Sequence, residues 1–224
     1  MLGDSVSTLI GCNPPDYAVY YDWNRFRFTS VISVADTWWG QVTEALGGFL
    51  LENNSYSGSM VCKHPDCEIE SYGCSDERTG RLGNQEALPD VIMILLGLND
   101  FGSGRRLYPS EEENGISVFS DAYDIMLKKI RRNYPEAEIW CLTLPCGYRR
   151  GTPAYRPPLV RAGHHLTEYN DVIRACAENN GCKLLDIFHP GEPYESLEGY
   201  HPNANGMKTI ASHVLCALEG SGAL

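Results

Sequence analysis

The stretch VIMILLGLND at residues 91–100 decides the fold class. Six apolar residues, three of them β-branched, lead directly into a glycine and polar residues, a pattern typical of a buried parallel strand that ends in a loop. Short apolar runs of the same kind occur at 49–53, 138–144 and 183–187. Helical patterns or long loops follow each run. This alternation predicts an α/β domain built on a doubly wound parallel sheet.

Helices are expected where apolar residues recur with helical spacing. These segments are 36–46, 120–133, 166–179 and 203–218. Asp36, Ser120 and Asn203 stand where an N-cap is needed, because their short side chains can accept a hydrogen bond from the first helical turn. Gly47 and Gly181 stand where two of the helices should end.

Length and composition indicate one compact, soluble domain. The 224 residues, 43% of them apolar, are enough for one substantial core and short for two, and no repeat or linker divides the chain, so a single domain over 1–224 is predicted. Eighteen basic and 29 acidic side chains give a formal charge of −11, which disfavours nucleic acid as a partner. No apolar run is long enough to span a membrane, and no secretion signal is visible.

Nine cysteines bear on compartment and metal binding. Because their number is odd and no signal peptide precedes them, free thiols in a reducing cytoplasm are favoured over a disulfide framework. Cys62, Cys67 and Cys74, with His64 between them, form the one cluster with the character of a metal site. Its spacing lacks the Cys-x2-Cys pairs of a typical zinc site, so a loop of unpaired thiols is favoured over zinc. The prediction is no metal and no cofactor.

Four separated blocks carry the residue types of a chemical site. They are GDS at 3–5, NSYSG at 54–58, GLND at 97–100 and EGYHPN at 198–203. The second and third directly follow predicted strands, and the fourth precedes the last predicted helix. Each block alone is a common turn or helix cap. The carboxyl ends of parallel strands meet at one edge of a sheet, so blocks placed there are expected to converge.

In this order the blocks resemble the GDSL/SGNH hydrolase family, the GDSL-like lipases and acylhydrolases. The Ser, Gly, Asn and His in the family's name fall on Ser5, Gly58, Asn99 and His201. The resemblance runs from residue 3 to the final helix and implies a flavodoxin-like three-layer α/β/α sandwich with strand order 2-1-3-4-5. It also implies an oxyanion hole made by the backbone N–H groups of Ser5 and Gly58 and the side-chain amide of Asn99.

Elementary chemistry suits these residue types. A serine hydroxyl needs a base to take its proton as it attacks, and histidine titrates near neutral pH, so His201 would activate Ser5. Attack on an ester puts negative charge on oxygen, which fixed donors must stabilise. A glycine at position 58 lets a backbone N–H approach without a Cβ in the way. Asn99 offers a neutral donor, whereas an aspartate there would repel the oxyanion.

The acid of the triad is the point where this chain departs from the family. The family normally has an aspartate three residues before the histidine, and Glu198 stands there. We expect Glu198 to orient His201; the alternatives are Asp186, at the end of the last predicted strand, and a Ser-His dyad without an acid. His189 also precedes a proline, but a helical pattern begins at once after His201, which favours the latter as the base.

The start of the chain is a second departure. Family members have an apolar strand immediately before Gly-Asp-Ser, and only Met1 and Leu2 stand there. The first strand is therefore expected to be truncated, so that either the chain is trimmed or another segment or subunit fills the gap. A trimmed terminus leaves secretion open beside the cytoplasm.

Two long segments and several aromatic residues are candidates for the substrate mouth. Segments 62–89 and 146–163 fit neither a helical nor a strand period and follow predicted strands, so they are expected to shape it. The aromatic candidates for an acyl or sugar pocket are Tyr20, Tyr21, Trp23, Trp38 and Trp39. At least one of the two adjacent tryptophans is expected in the core instead.

The function predicted from the sequence is that of a metal-independent carboxylic ester hydrolase. Ser5 would be acylated, and a water activated by His201 would release the acid. The expected substrate is a small-molecule or carbohydrate ester with a short acyl group, or a lipid-like ester. Two alternatives stay open: an acyltransferase or thioesterase with the same residues, and a catalytically silent binding module that keeps the fold. The sequence leaves the oligomeric state undetermined.

Overall fold

The computed structural model describes residues 1–63, 71–84, 86–152 and 159–220. The strands are β1 (Leu2–Gly3), β2 (Val91–Leu95), β3 (Glu138–Leu142), β4 (Gly147–Arg149), β5 (Val160–Arg161), β6 (His164–His165), β7 (Lys183–Leu185) and β8 (Tyr194–Ser196). The helices are α1 (Phe26–Thr29), α2 (Trp38–Ala45), α3 (Asp76–Gly80), α4 (Leu98–Gly102), α5 (Phe119–Asn133), α6 (Leu166–Asn179) and α7 (Ala204–Gly220). Short 3-10 turns cover Ser5–Ser7, Val34–Asp36 and Gly115–Ser117.

The main sheet is parallel throughout, in the order β1-β2-β3-β7. Its interior strands are apolar and buried on both faces, as a sheet covered by helices requires. Helix α2 packs against α7, and α5 packs against α6, so the two pairs cover the two faces. The predicted three-layer α/β/α sandwich is confirmed, and strands 91–96, 138–144 and 183–187 are each present in slightly shorter form.

An irregular extended segment borders β1 on its outer side. The N-terminal ammonium of Met1 donates to the Glu52 carbonyl (2.7 Å), Asn54 N–H donates to the Met1 carbonyl (2.9 Å), and Tyr56 N–H donates to the Gly3 carbonyl (3.1 Å). The four strands β1-β2-β3-β7 follow the 1-3-4-5 part of the order that the family resemblance implies, and this irregular segment lies where strand 2 of that order is expected. The prediction of a regular strand at 49–53 is wrong. Because β1 offers partners only from Met1 to Gly3, pairing begins at Glu52, and Phe49 is left exposed.

The shortness of β1 leaves the sheet uneven along its length. Leu2 and Gly3 pair with Ile94 and Leu95, at the carboxyl end of β2. Beside the amino end of β2 lies an apolar cavity of about 350 Å³, lined in part by Met1 and Met93. The first strand is therefore present but has two residues, which lie at the end of the sheet where the four blocks meet.

Two of the predicted helix caps are wrong, for identifiable reasons. Thr37 caps α2 by accepting from Gly40 N–H, while Asp36 folds back to accept from Ser33 N–H (2.9 Å). Helix α5 begins before Ser120, whose N–H is already bonded to the Leu107 carbonyl (3.0 Å), so no side-chain cap is needed there. The predicted span of α6 is observed residue for residue.

The last helix begins as predicted. Asn203 accepts a hydrogen bond from Gly206 N–H (2.9 Å) through its side chain and from Met207 N–H (2.8 Å) through its carbonyl. It is therefore the N-cap of α7.

The cysteines of the described residues are free thiols. His64 and Cys67, two members of the cluster considered for zinc, lie outside the described residues. Among the residues that are described, no group of His, Cys, Asp and Glu side chains could hold a metal ion. No helix in the described part of the chain is long and apolar enough to cross a membrane.

Candidate active site

Ser5 lies at the carboxyl end of β1, where the chain turns sharply. Asp4 caps this turn by accepting from Val6 N–H (3.0 Å), and the Thr8 hydroxyl donates to the Ser5 carbonyl (3.0 Å). Trp38 and Trp39 are fully buried behind the turn, and their indole N–H groups donate to the Ser7 hydroxyl (3.2 Å) and the Ser7 carbonyl (3.0 Å). The two tryptophans are thus core residues that support the turn, and Ser5 is 7% exposed.

His201 lies in a short loop between β8 and α7. The loop is closed by hydrogen bonds from Leu197 N–H to the His201 carbonyl (2.9 Å) and from Gly199 N–H to the Ser196 hydroxyl (2.6 Å). Gly199 has a φ of 115°, a left-handed conformation that favours glycine. Strand β8 pairs with β4 beside the main sheet, and the loop that follows β8 brings His201 to Ser5.

The structure brings Ser5, His201 and Glu198 into one chain of contacts. His201 Nε2 lies 3.0 Å from Ser5 Oγ, and His201 Nδ1 contacts Glu198 Oε1. The same carboxylate oxygen accepts from the backbone N–H of His201 (3.1 Å). This is the arrangement in which an acid fixes the imidazole so that its other nitrogen faces a hydroxyl. The side chains of His201 and Glu198 are 25% and 44% exposed.

The other candidate residues point elsewhere. Asp186 accepts from the Thr143 hydroxyl (2.8 Å) and from Arg174 Nε (2.9 Å). His189 packs edge-on against His213, with ring centroids 4.5 Å apart. Neither Asp186 nor His189 therefore takes part in the contacts of Ser5.

The aromatic candidates differ in where they lie. Tyr20 stacks on the imidazole of His201, with ring centroids 3.6 Å apart and planes inclined by 5°. Tyr21 is fully buried and donates its hydroxyl hydrogen to the Pro202 carbonyl (2.8 Å). Trp23 is exposed at the surface. Of the five candidates, Tyr20 is thus the one with a contact to the candidate base.

Gly58 and Asn99 face the same end of the sheet. Gly58 has a φ of 84°, and a Cβ built there would meet no atom within 4 Å. Glycine is therefore required by the backbone conformation, and the space in front of it is open. Asn99, in the first turn of α4, donates through Nδ2 to the Ser59 carbonyl (2.9 Å). One amide hydrogen of Asn99 is used in this bond, which leaves the second for a bound group.

Two buried charged residues hold these loops: Arg78, to which the sequence analysis assigns no role, and Asp100, the last residue of the block at 97–100. Arg78 is fully buried and donates to the carbonyls of Asn54 (3.1 Å) and Gly3 (2.8 Å) and to the Ser59 hydroxyl (2.7 Å). Arg78 therefore joins the backbone of the first block to that of the second. A single arginine in a loop-rich segment has no spacing that would reveal such contacts.

Asp100 holds the other side of the Gly58 loop. Its two carboxylate oxygens accept from Val61 N–H (2.8 Å) and Cys62 N–H (3.0 Å), and it follows Asn99 directly in the chain. Burial raises the pKa of Asp100 to about 6, against the effect of these backbone donors. Burial likewise raises the pKa of Asp4 to about 6, while the donor Val6 N–H and the nearby His201 act in the opposite direction.

The predicted mouth segments are only partly described, because residues 64–70, 85 and 153–158 fall outside the described ranges. Cys146, Gly147 and Leu159, from segment 146–163, line a hollow of about 10 Å³ together with Leu98 and Tyr200, the neighbours of Asn99 and His201. In the described part of segment 62–89, Arg78 contacts the backbone of the first two blocks, whereas Leu82 and Leu88 line the apolar cavity at the amino end of β2. The apolar cavity of about 350 Å³ is at the amino end of β2, away from Ser5.

Comparison with solved structures shows the same fold in other proteins. A protein from Bacteroides ovatus ATCC 8483 described as a GDSL-like lipase superposes with a TM-score of 0.73 at 24% identity, over 98% of this chain and 96% of that one. The inhibitor-bound aryl esterase of M. smegmatis superposes with a TM-score of 0.63 at 16% identity, over 100% and 97% of the two chains.

Sequence comparison gives the family. One curated relative, Cellulase/esterase CelE of Acetivibrio thermocellus, is 28% identical over 132 residues, which are 58% of this chain and 13% of that protein. This chain thus corresponds to a small part of that relative. A family model described as GDSL-like Lipase/Acylhydrolase matches residues 1–144, well over half of the chain. The chain therefore belongs to the GDSL-like lipase/acylhydrolase family, a family of ester hydrolases.

Proposed function

We propose that this chain is a serine-dependent carboxylic ester hydrolase that works through an acyl-enzyme. The observation that carries the proposal is the row of contacts from Glu198 through His201 to Ser5, with 3.0 Å between His201 Nε2 and Ser5 Oγ. A hydroxyl at this distance from an oriented imidazole can pass its proton to the ring as it attacks.

The reaction proceeds in two halves. Ser5 Oγ attacks the ester carbonyl carbon while its proton moves to His201 Nε2, and the imidazolium then protonates the departing alcohol as the C–O bond breaks. A water molecule next gives its proton to the same nitrogen and attacks the acyl-enzyme. Collapse of this second intermediate releases the carboxylic acid and returns the proton to Ser5. Glu198 holds Nδ1–H throughout and stabilises the imidazolium by its negative charge.

Both tetrahedral intermediates carry an oxyanion that needs fixed donors. We assign this role to the backbone N–H groups of Ser5 and Gly58 and to the side-chain amide of Asn99. Support comes from the open space in front of Gly58 and from the Asn99 amide, which the Ser59 carbonyl holds at the same end of the sheet. Such preorganised donors stabilise charge without reorganising during the reaction.

The proposed substrate is an ester of a short acyl group, carried by a carbohydrate or another small alcohol. The hollow of about 10 Å³ next to Leu98 and Tyr200 has room for a group of about the size of one water molecule. Two relatives are named as esterases, the aryl esterase of M. smegmatis and the cellulase/esterase CelE. A short acyl group fits a hollow of this size better than a long chain does.

Two measurements on Ser5→Ala test the proposal. Wild-type protein should react with a fluorophosphonate probe and hydrolyse p-nitrophenyl acetate, whereas Ser5→Ala should do neither while keeping its thermal unfolding temperature. Ser103→Ala, which changes an exposed serine just after α4, is the matched control and should behave as wild type. Undiminished turnover by folded Ser5→Ala, or a wild-type protein inert to both reagents, would refute the serine-hydrolase proposal.

A further inference from the structure

The imidazole of His201 is held on its edges by Glu198 and Ser5, but neither contact restrains the tilt of the ring. Tyr20 does so, because its ring lies parallel to the imidazole at a centroid distance of 3.6 Å. We propose that Tyr20 is a positioning residue for the base: its ring keeps the imidazole in the plane that joins Glu198 to Ser5 and stabilises the imidazolium formed during attack. This inference rests on the proposed function of Ser5 and His201.

The backbone of Tyr20 is tied directly to the nucleophile. The Thr8 hydroxyl accepts from Tyr20 N–H (2.9 Å) and donates to the Ser5 carbonyl (3.0 Å), so one buried side chain links the two residues. A displacement of the Ser5 turn would therefore move Tyr20 with it. The stacked ring and the attacking hydroxyl share a common support.

The next residue is tied to the base instead. Tyr21 is fully buried, and its hydroxyl donates to the carbonyl of Pro202, the residue after His201 (2.8 Å). Two consecutive tyrosines thus connect the start of the chain, where the nucleophile lies, to the loop of the base. This double attachment gives the stack a fixed geometry, although the side chains of Glu198 and His201 are partly exposed to solvent.

The charges around His201 determine how the Tyr20 ring can stabilise the imidazolium. Glu198 contacts Nδ1, the buried Asp4 interacts with His201 from the nucleophile turn, and the Arg25 guanidinium lies 4.6 Å from the centroid of the Tyr20 ring. Arg25 is itself paired with Asp22 (3.2 Å). Burial raises the pKa of Tyr20 to about 12, so the phenol stays neutral at working pH. A neutral aromatic ring presents the negative face of its quadrupole to the imidazolium.

The test compares Tyr20→Leu with Tyr20→Phe. Leucine fills much of the space but has no π face, whereas phenylalanine keeps it. With the fold unchanged by circular dichroism and thermal unfolding, Tyr20→Leu should lower kcat for p-nitrophenyl acetate by about 2- to 30-fold, the range of cation–π stabilisation, with little change in KM. Tyr20→Phe should recover most of the lost rate.

A second readout does not depend on activity and would not move if Tyr20 were only a packing residue. In Tyr20→Leu, the pH midpoint of the His201 Cε1–H NMR resonance, assigned with His201→Gln, should fall by roughly half to one pH unit, because the charged ring loses stabilisation. The acid limb of kcat/KM should move in the same direction, and both should return in Tyr20→Phe.

An unmoved NMR midpoint in folded Tyr20→Leu overturns the inference, whatever happens to the rate. A Phe variant as impaired as the Leu variant overturns it too, because the hydroxyl rather than the ring would then be responsible. Failure of the proposed function is recognised separately, by a wild-type protein that neither reacts with the fluorophosphonate probe nor hydrolyses the ester. In that case the NMR titration of His201 still tests its stacking with Tyr20.

Discussion

The two sides of the candidate site are held by different kinds of contact: buried charge-to-backbone bonds on one side and a partly exposed side-chain pair on the other. On the side of the proposed oxyanion donors, called the oxyanion side below, buried charged residues bond directly to the backbone: Arg78 to the carbonyls of Gly3 and Asn54, and Asp100 to two amides of the Gly58 loop. On the side of the proposed base, called the base side below, Glu198 and His201 are partly exposed and contact each other, three positions apart in the chain. The first side is part of the core of the protein, and the second is attached to its surface.

This difference indicates how substitutions on each side should act. Removing a buried charge that satisfies backbone groups leaves those groups unpaired in the interior, which costs folding free energy as well as geometry. Removing an exposed carboxylate leaves water to solvate what remains, so the fold should barely respond. We therefore expect the base side to separate rate from stability and the oxyanion side to couple them.

Glu198→Gln should give the largest difference between the effect on rate and the effect on stability. The amide cannot stabilise the imidazolium and favours the wrong tautomer, so kcat for p-nitrophenyl acetate should fall by up to about 10⁴-fold. The thermal unfolding temperature should stay close to that of wild type, because the side chain is 44% exposed. Glu198→Asp should be tolerated, and Glu192→Gln, at an exposed glutamate on the preceding loop, serves as the matched control. A near-normal rate in Glu198→Gln would mean that the enzyme works as a Ser-His dyad.

Asn99→Ala should affect rate and stability together. Loss of one oxyanion donor typically lowers kcat by about 10²- to 10³-fold. The bond to the Ser59 carbonyl is lost as well, which should cost about 1 kcal/mol of unfolding free energy. Steady-state kinetics and urea unfolding measure the two effects, with the exposed Asn205→Ala on α7 as control. A raised KM with unchanged kcat would contradict the oxyanion role.

The last predicted effect concerns stability: a pH dependence of the unfolding free energy from Asp4 and Asp100. The pKa of each carboxyl is raised from 3.8 to about 6 in the folded protein, so the folded state binds more protons between these values. Their stabilising contribution is fully present below about pH 4 and is lost as the pH rises through about 6, at most about 3 kcal/mol for each. These two groups should therefore favour the fold at pH 5 over pH 7.5.

Asp4→Asn isolates one of the two carboxyls. The difference in unfolding free energy between pH 5 and pH 7.5, measured by urea titration, should shrink in this variant, because an amide does not titrate. Asp16→Asn, at an exposed carboxylate of the loop that follows the Ser5 turn, should leave the difference as in wild type. An unchanged difference in Asp4→Asn would show that Asp4 is not the source.

Sequence patterns located most of the fold and the candidate residues because those patterns are local. Three of the four blocks lie where a strand ends or a helix begins, and strand and helix periods are readable within a dozen residues. The prediction of a regular strand at 49–53 is wrong because pairing there depends on the length of β1, in another part of the chain. Whether Glu198 or Asp186 reaches His201 also depends on the path of a loop, and therefore stayed open at the sequence level.

The supporting residues could not be predicted for a related reason. Arg78 and Asp100 act on backbone groups of other segments, and Tyr20 acts through the face of its ring, so their partners are defined only by tertiary structure. Nothing in the residue types at positions 78 or 100 distinguishes such a role from a solvated charge. A buried charge is recognised only when its surroundings are known.

The contact between Ser5 and His201 joins residues 196 positions apart in the chain. In synthesis from the amino to the carboxyl end, Ser5 is made 196 residues before His201, so the proposed site stays incomplete until the loop that carries His201 has been made. Such long-range closure is slow compared with the formation of local helices. A chain stalled or cleaved before residue 201 would contain Ser5 without the histidine proposed to activate it, so the appearance of esterase activity would report completion of the site.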